Sequence, residues 1–97
     1  MTRRFILRPR AERDLQFAFE WYESQRRGLG DEFLAAVRAQ LEAIRNFPEA
    51  HPTIYRDVRR AIVSRFPYLI FYISTPTRIA ILAVLHHARD PASWPRR

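Results

Sequence analysis

The sequence predicts an α+β fold of element order β-α-α-β-β-β, a helical hairpin packed on one antiparallel sheet. Three observations carry that prediction. Apolar residues recur at intervals of three and four through residues 9–46, as in two amphipathic helices. From Val58 onward the period changes to short β-branched runs, "VRRAIV", "YLIFYI" and "IAILAVL", each too short for a separate helix. Turn formers separate these blocks: "RRGLGDE", which holds both glycines of the chain, "FPEAHPTIY", Pro67 and "STPTR".

Phe5, Ile6 and Leu7 lie between arginines and read as a first strand that ends at Arg8-Pro9. Pro9 suits the first turn of a helix, where its missing N–H has no partner to lose, and Glu12 and Asp14 favour the positive end of that helix. Ala11, Leu15, Ala18 and Tyr22 form its stripe and Glu23 with Arg27 an (i, i+4) pair, which gives a first helix over residues 9–25. Phe17, Phe19 and Trp21 fall largely off the stripe. Two uses are open for them: contact with both a neighbouring helix and the sheet, or a docking surface for another chain.

Gly28 and Gly30 stand where a turn between helices needs them, and Asp31 is the expected N-cap of a second helix over residues 31–46. Phe33, Val37, Leu41, Ile44 and Phe47 supply its apolar face. Pro48 and Pro52 make the next segment a loop, with His51 exposed in it. The three later runs are expected to form a meander whose last two strands are central, because they are apolar on both faces. Pro67 can open such a strand but not sit within it. The tail "DPASWPRR" sets Trp94 among prolines and is expected to fold back over an edge of the core.

With 97 residues, the chain is expected to be a single domain over 1–97 with one modest core. Its 47% apolar content argues against a disordered tail, and the absence of cysteine excludes a disulfide framework and a thiolate metal site. The apolar run near the N-terminus has three residues, too few for a signal peptide, and no stretch approaches a membrane span. A cytoplasmic protein without cofactor is the expectation. All 17 basic residues are arginine, against 10 carboxylates, for a net charge of +7. Guanidinium groups fork onto carboxylates and phosphates, so the expected partners are nucleic acid, a nucleic-acid enzyme or an acidic protein segment.

The stretch "HHARDP" concentrates the titratable groups of the carboxy half. His86 and His87 are neighbours on a strand and are expected on opposite faces, so a metal site from His86, His87 and Asp90 is not expected. Arg60 and Arg65, five residues apart, are likewise expected on opposite sides of a regular strand. A sequence-specific DNA reader is disfavoured, because Arg26, Arg27, Arg38 and Arg45 are scattered over a packed hairpin.

Read together, "AERDL" and "WYESQ" in the first helix, "FPEAHPTIY", "RRAIVSRFPYLIFYI" and "IAILAVLHHARDPASW" resemble the toxins of the RelE/ParE superfamily, and its ParE-like branch (plasmid stabilisation proteins) in particular. The resemblance runs over nearly the whole chain. It is carried most specifically by "RFPYLIFY", the apolar strand ending in "VLHHARDP", and the terminal Trp94. It implies the toxic, growth-arresting half of a bacterial type II toxin–antitoxin pair, neutralised in a hetero-oligomer by a cognate antitoxin that wraps an acidic tail over it. Phe17 and Trp21 are the candidate antitoxin contacts.

Within that superfamily, RelE-like members cut messenger RNA in the ribosome, and ParE-like members bind DNA gyrase without doing chemistry. Cleavage through the RNA 2′-OH needs a proton acceptor, cations for the phosphorane charge and an acid for the leaving oxygen. The chain has no lysine and no tyrosine after Tyr72, and arginine is a poor acid or base. That leaves His86 or His87 as the near-neutral titrating groups of the carboxy half, and an endoribonuclease could be assembled from His86 as base or acid, with Arg60, Arg65 and Arg89 holding phosphate. The departures from the RelE pattern favour gyrase binding, with Arg60, Arg65, His86, Arg89 and Trp94 as the target-binding candidates. Endoribonuclease is the alternative.

Overall fold

The structure, a computed structural model, describes residues 3–88; Arg89, Asp90 and Trp94 lie outside the described residues. Seven elements follow one another: β1 (Arg4–Leu7), α1 (Pro9–Gln25), α2 (Leu29–Asn46), β2 (Thr53–Tyr55), β3 (Val58–Ile62), β4 (Tyr68–Ser74) and β5 (Arg78–His86). Both helices pack on one face of a sheet of order β1-β5-β4-β3-β2, an α+β fold as expected.

Two features of the sheet differ from the expectation. Thr53–Tyr55, expected in a loop, adds a short edge strand to β3, and Arg56 turns the chain back with φ of 51°. The sheet is also mixed: β2 to β5 are antiparallel, but β1 runs parallel to β5, pairing Arg4 with Arg78 and Leu7 with Ile81. A parallel pair needs a long crossover, and the intervening helices and strands supply it.

The helical turn also departs from the simplest reading. α2 starts at Leu29, two residues before Asp31, and its N-cap is Gly28 in the left-handed region with φ of 88°. The capping acceptor comes from the preceding helix. Glu23 Oε2 accepts from the Gly28 N–H at 2.9 Å and Oε1 from the Gly30 N–H at 3.0 Å, so one carboxylate satisfies two amides at the positive end of α2. Glu23 is thereby turned toward α2, and α1 ends at Gln25, before Arg27. Gly30 lies inside α2, and its role is close approach. A Cβ there would fall 2.7 Å from Phe19 Cδ1 and 2.9 Å from Glu23 Oε1. Phe47, expected on the buried stripe, is the C-cap residue of α2 and is 68% exposed.

Alternation along β4 divides the core in two. Tyr68, Ile70 and Tyr72 face the helices and meet Ala18 and Tyr22 of α1 with Phe33, Val37 and Ile44 of α2. Leu69, Phe71 and Ile73 face the far side, where they cluster with Val58, Ala80, Ala83 and Leu85. The six-residue apolar run is therefore explained by burial on both faces. Opposite the Phe71–Tyr72 step the register with β5 skips Leu82, a bulge, and nearby the Val84 N–H donates to Asp14 Oδ2 at 2.9 Å, tying α1 to β5.

Tyr72 fastens the loop after α2 to the sheet. Its ring is fully buried, His51 sits edge-on to it at 6.1 Å, and its hydroxyl donates to the Pro48 carbonyl at 2.6 Å. His51 is half-buried there, where an exposed loop residue was expected. Burial pushes the Tyr72 phenol up to about 12; Arg59 pulls it down and Glu49 pushes it up by smaller amounts. Because the folded-state value lies above the ordinary 10.0, this contribution to stability is whole below pH 10 and is lost as pH rises toward 12. Tyr72→Phe strands the Pro48 carbonyl and is expected to cost about 1–3 kcal/mol near neutrality. Thermal melts of both proteins at pH 8 and above pH 11 check this: the gap between them should narrow at the higher pH, and a gap that does not change would overturn the assignment.

Candidate functional site

Four of the sequence candidates, Phe17, Trp21, His86 and Arg60, border two openings on opposite faces of the sheet, where β4 begins and β5 ends. On the helix side a groove of about 430 Å³ is lined by Phe17, Trp21 and Tyr22 of α1, by Pro67 and Tyr68, and by His86. Phe17 and Trp21 are one helical turn apart, and α1 turns both outward: Phe17 is 62% and Trp21 52% exposed. Their use is therefore not the core. Beneath them the floor is rigid, since Tyr22 packs against Phe66 at 5.0 Å and Phe33 at 5.2 Å between ring centroids. Burial raises the Tyr22 phenol above its ordinary value, and the neighbouring Tyr68 adds to the effect. An adjoining hollow of about 250 Å³ brings Arg13, Asp14 and Val84 to the same Phe17, Tyr68 and His86.

His86 is the last residue of β5 and stands edge-on to Tyr68 at 5.4 Å. The Ala88 N–H donates to its Nδ1 at 3.1 Å, which assigns the proton of the neutral ring to Nε2. His87 lies beyond the strand, held by its N–H to the Pro67 carbonyl at 2.8 Å. Its ring stacks on that of His86, centroids 5.2 Å apart and planes 16° from parallel, yet it lines the opening on the far side. The two neighbours thus border different openings, but strand alternation does not place them: β5 ends at His86, and the stacked rings show that His87, in the turn beyond, does not point away from His86 as a strand neighbour would.

The far-side opening, about 360 Å³, is bordered by Arg60, Ile62, Pro67, Tyr68, Leu69 and His87. Arg60 belongs to that face because it pairs across the sheet with Phe71. Arg65 does not alternate with it. β3 stops at Ile62, and Arg65 sits in the following turn with φ of 74°, donating to Glu32 Oε1 at 3.1 Å with its guanidinium 5.5 Å from the Phe66 centroid. Glu32 also receives Arg26 at 3.3 Å, and the bond from Arg65, with the charge of Arg26 next, holds its carboxyl below the usual range.

The candidates therefore fall into separate groups. His86 joins Phe17 and Trp21 at the helix-side groove, Arg60 joins His87 on the far side, and Arg65 is engaged at the α2 N-terminus. Arg89 and Trp94 lie outside the described residues. Pro67 and Tyr68 line these openings without having been singled out as site residues, because the sequence marks Pro67-Tyr68 only as the start of a strand. No group of three or more His, Asp or Glu side chains able to hold a metal ion occurs among the described residues. No helix among them is long and apolar enough to cross a membrane.

Residues 5–91, which include both openings, match the family model of the ParE toxin of type II toxin–antitoxin system, parDE. The chain belongs to the ParE toxin family. That membership bears out the resemblance to the ParE-like branch of the RelE/ParE superfamily. No curated protein matches the chain. Among solved structures, a chain of the chromosomal ParDE TA system from P. aeruginosa is similar with a TM-score of 0.76 and 15% identity, covering 86% of this chain and 94% of that one. At that identity the likeness speaks for the ParE fold, a helical hairpin on one face of a sheet.

Proposed function

We propose that this ParE-family toxin arrests growth as a binding protein: it engages DNA gyrase in the cytoplasm without doing chemistry, and a cognate antitoxin with an acidic tail neutralises it. The observation that carries the non-catalytic reading is the separation of the groups a nuclease would combine. His86 opens on the helix side, whereas Arg60 lies on the far face of the same sheet. Lysine is absent from the chain, and the tyrosines of β4, Tyr68 and Tyr72, are buried. Proton transfer and charge stabilisation on one phosphate need both kinds of group within reach of it.

Phe17 and Trp21 suit the antitoxin, because exposed aromatic side chains over a rigid apolar floor are anchors for an amphipathic helix or strand. Arg60, Arg65 and His86, with Arg89 and Trp94, are the proposed gyrase-facing residues. His86 stands at the rim of the Phe17–Trp21 groove, so an antitoxin seated there covers part of the target surface.

A supercoiling assay with purified gyrase, run beside an in vitro translation assay, tests the reading. We expect the chain to block supercoiling or to trap cleaved DNA while translation proceeds; inhibition of translation alone overturns the proposal. The endoribonuclease alternative is favoured by one observation, that His87 and Arg60 border the same opening. It requires arrested translation that His87→Ala abolishes.

A further inference from the structure

Among the described residues, no ion pair offsets the charge of Arg60. Its Nε is shielded from solvent without a hydrogen-bond partner. Nearby arginines are occupied: Arg59 donates to the carbonyls of His51 at 2.6 Å and Glu49 at 3.3 Å, and Arg65 to Glu32. A guanidinium cannot escape desolvation by losing its proton, so a half-buried and unpaired one is costly until an anion arrives. The walls around it are apolar. Ile62, 63% exposed, and Leu69 stand on the same face, Pro67 closes one end, and Tyr68 and His87 complete the rim.

We propose that this opening is a receptor for one carboxylate side chain of an acidic peptide segment in a partner protein, with the segment's adjacent apolar residue resting on Ile62 and Leu69. The inference rests on the gyrase-binding reading and goes further, since it names the ligand chemistry of Arg60. A carboxylate is favoured over a nucleic-acid phosphate by the shape of the charge. Tracking a phosphate backbone takes a row of exposed cations with aromatic platforms between them, whereas this pocket offers a single arginine in an apolar wall. Charge-assisted bonds from arginine to a carboxylate are about twice as strong as neutral ones, and desolvation by the apolar rim strengthens them.

The test follows the ¹⁵N signal of the Arg60 Nε–H group, identified by its loss in Arg60→Met, during titration with three probes. These are a nine-residue peptide with a central Leu-Glu pair, the same peptide with Gln in place of Glu, and a ten-nucleotide single-stranded DNA. The Glu peptide is expected to move the signal and to bind about tenfold or more tighter than the Gln peptide, a difference of about 1.4 kcal/mol. Arg60→Lys, which keeps the charge and loses the fork, should retain only part of that preference, and circular dichroism confirms that both variants fold. Equal binding of the two peptides, no response to the Glu peptide at millimolar concentration, or a stronger response to the DNA overturns the proposal. So does a shift of the same signal in Asp90→Asn, which would make the occupant the chain's own carboxylate. Gyrase inhibition by the same preparation separates the two readings: inhibition without Glu selectivity overturns the receptor alone, and Glu selectivity without inhibition overturns the gyrase reading alone.

Discussion

Trp21→Ala is expected to weaken binding of the cognate antitoxin by about 30-fold or more, equivalent to about 2 kcal/mol, with little effect on the folding of the free chain. The indole is half exposed and rests edge-on against Tyr22 at 5.1 Å, so most of its apolar surface is available to a partner. An aromatic side chain with few rotatable bonds loses little entropy on binding, and the groove beneath can exclude water from around it. Phe17→Ala should act in the same direction and by less, because Phe17 sits nearer the polar hollow of Arg13 and Asp14. Titration calorimetry of the two variants against the purified antitoxin reads both effects. A Trp21→Ala protein that binds as tightly as the wild type would show that the antitoxin sits elsewhere.

Phe33→Ala is expected to cost about 3–5 kcal/mol, a large share of the about 5–15 kcal/mol by which a domain is usually stable. Phe33 is completely buried, and its ring lies 5.1 Å from Tyr68, 5.2 Å from Tyr22 and 5.4 Å from Phe66. Removing it leaves a void among aromatic rings that are themselves pinned by α1 and β4, so little collapse can fill the space. Those same rings floor the groove under Trp21, and the variant should therefore lose antitoxin affinity beyond what unfolding explains. Urea unfolding gives the stability change. A loss below about 1 kcal/mol would mean that the cluster repacks freely.

The helices were legible because their signals are local. The stripe from Ala11 to Tyr22 and the one from Phe33 to Ile44 repeat within a few residues, and α1 begins at Pro9 as read. The start of α2 was not, since its cap is supplied by Glu23, seven residues before Gly30, through a carboxylate that also reads as an ordinary helical ion-pair partner. β2 was hidden by its length, three residues just after Pro52. The direction of β1 leaves no trace in its own composition, because parallel and antiparallel edge strands bury the same residue types.

For the site, residue chemistry was visible and grouping was not. Strand alternation failed at both ends: β5 stops at His86, so His87 stacks on its neighbour from the turn beyond, and Arg65 has already left β3, at a positive φ that a sequence of common residues does not announce. Phe17, Trp21 and His86 meet only because β5 returns beside α1, some 65 residues after it.

That return has a consequence for how the molecule is made. Glu23, Gly28 and Gly30 let the helical hairpin close early, using contacts a few residues apart. β1, in contrast, finds its neighbour in a strand that begins at Arg78. Loop closure over such a span is slow relative to local helix formation, and on a ribosome it cannot begin until β5 has been synthesised. A nascent chain that already holds both helices still has β1 without its neighbour and lacks His86, so the groove that His86 lines is completed only after the hairpin that forms its other wall.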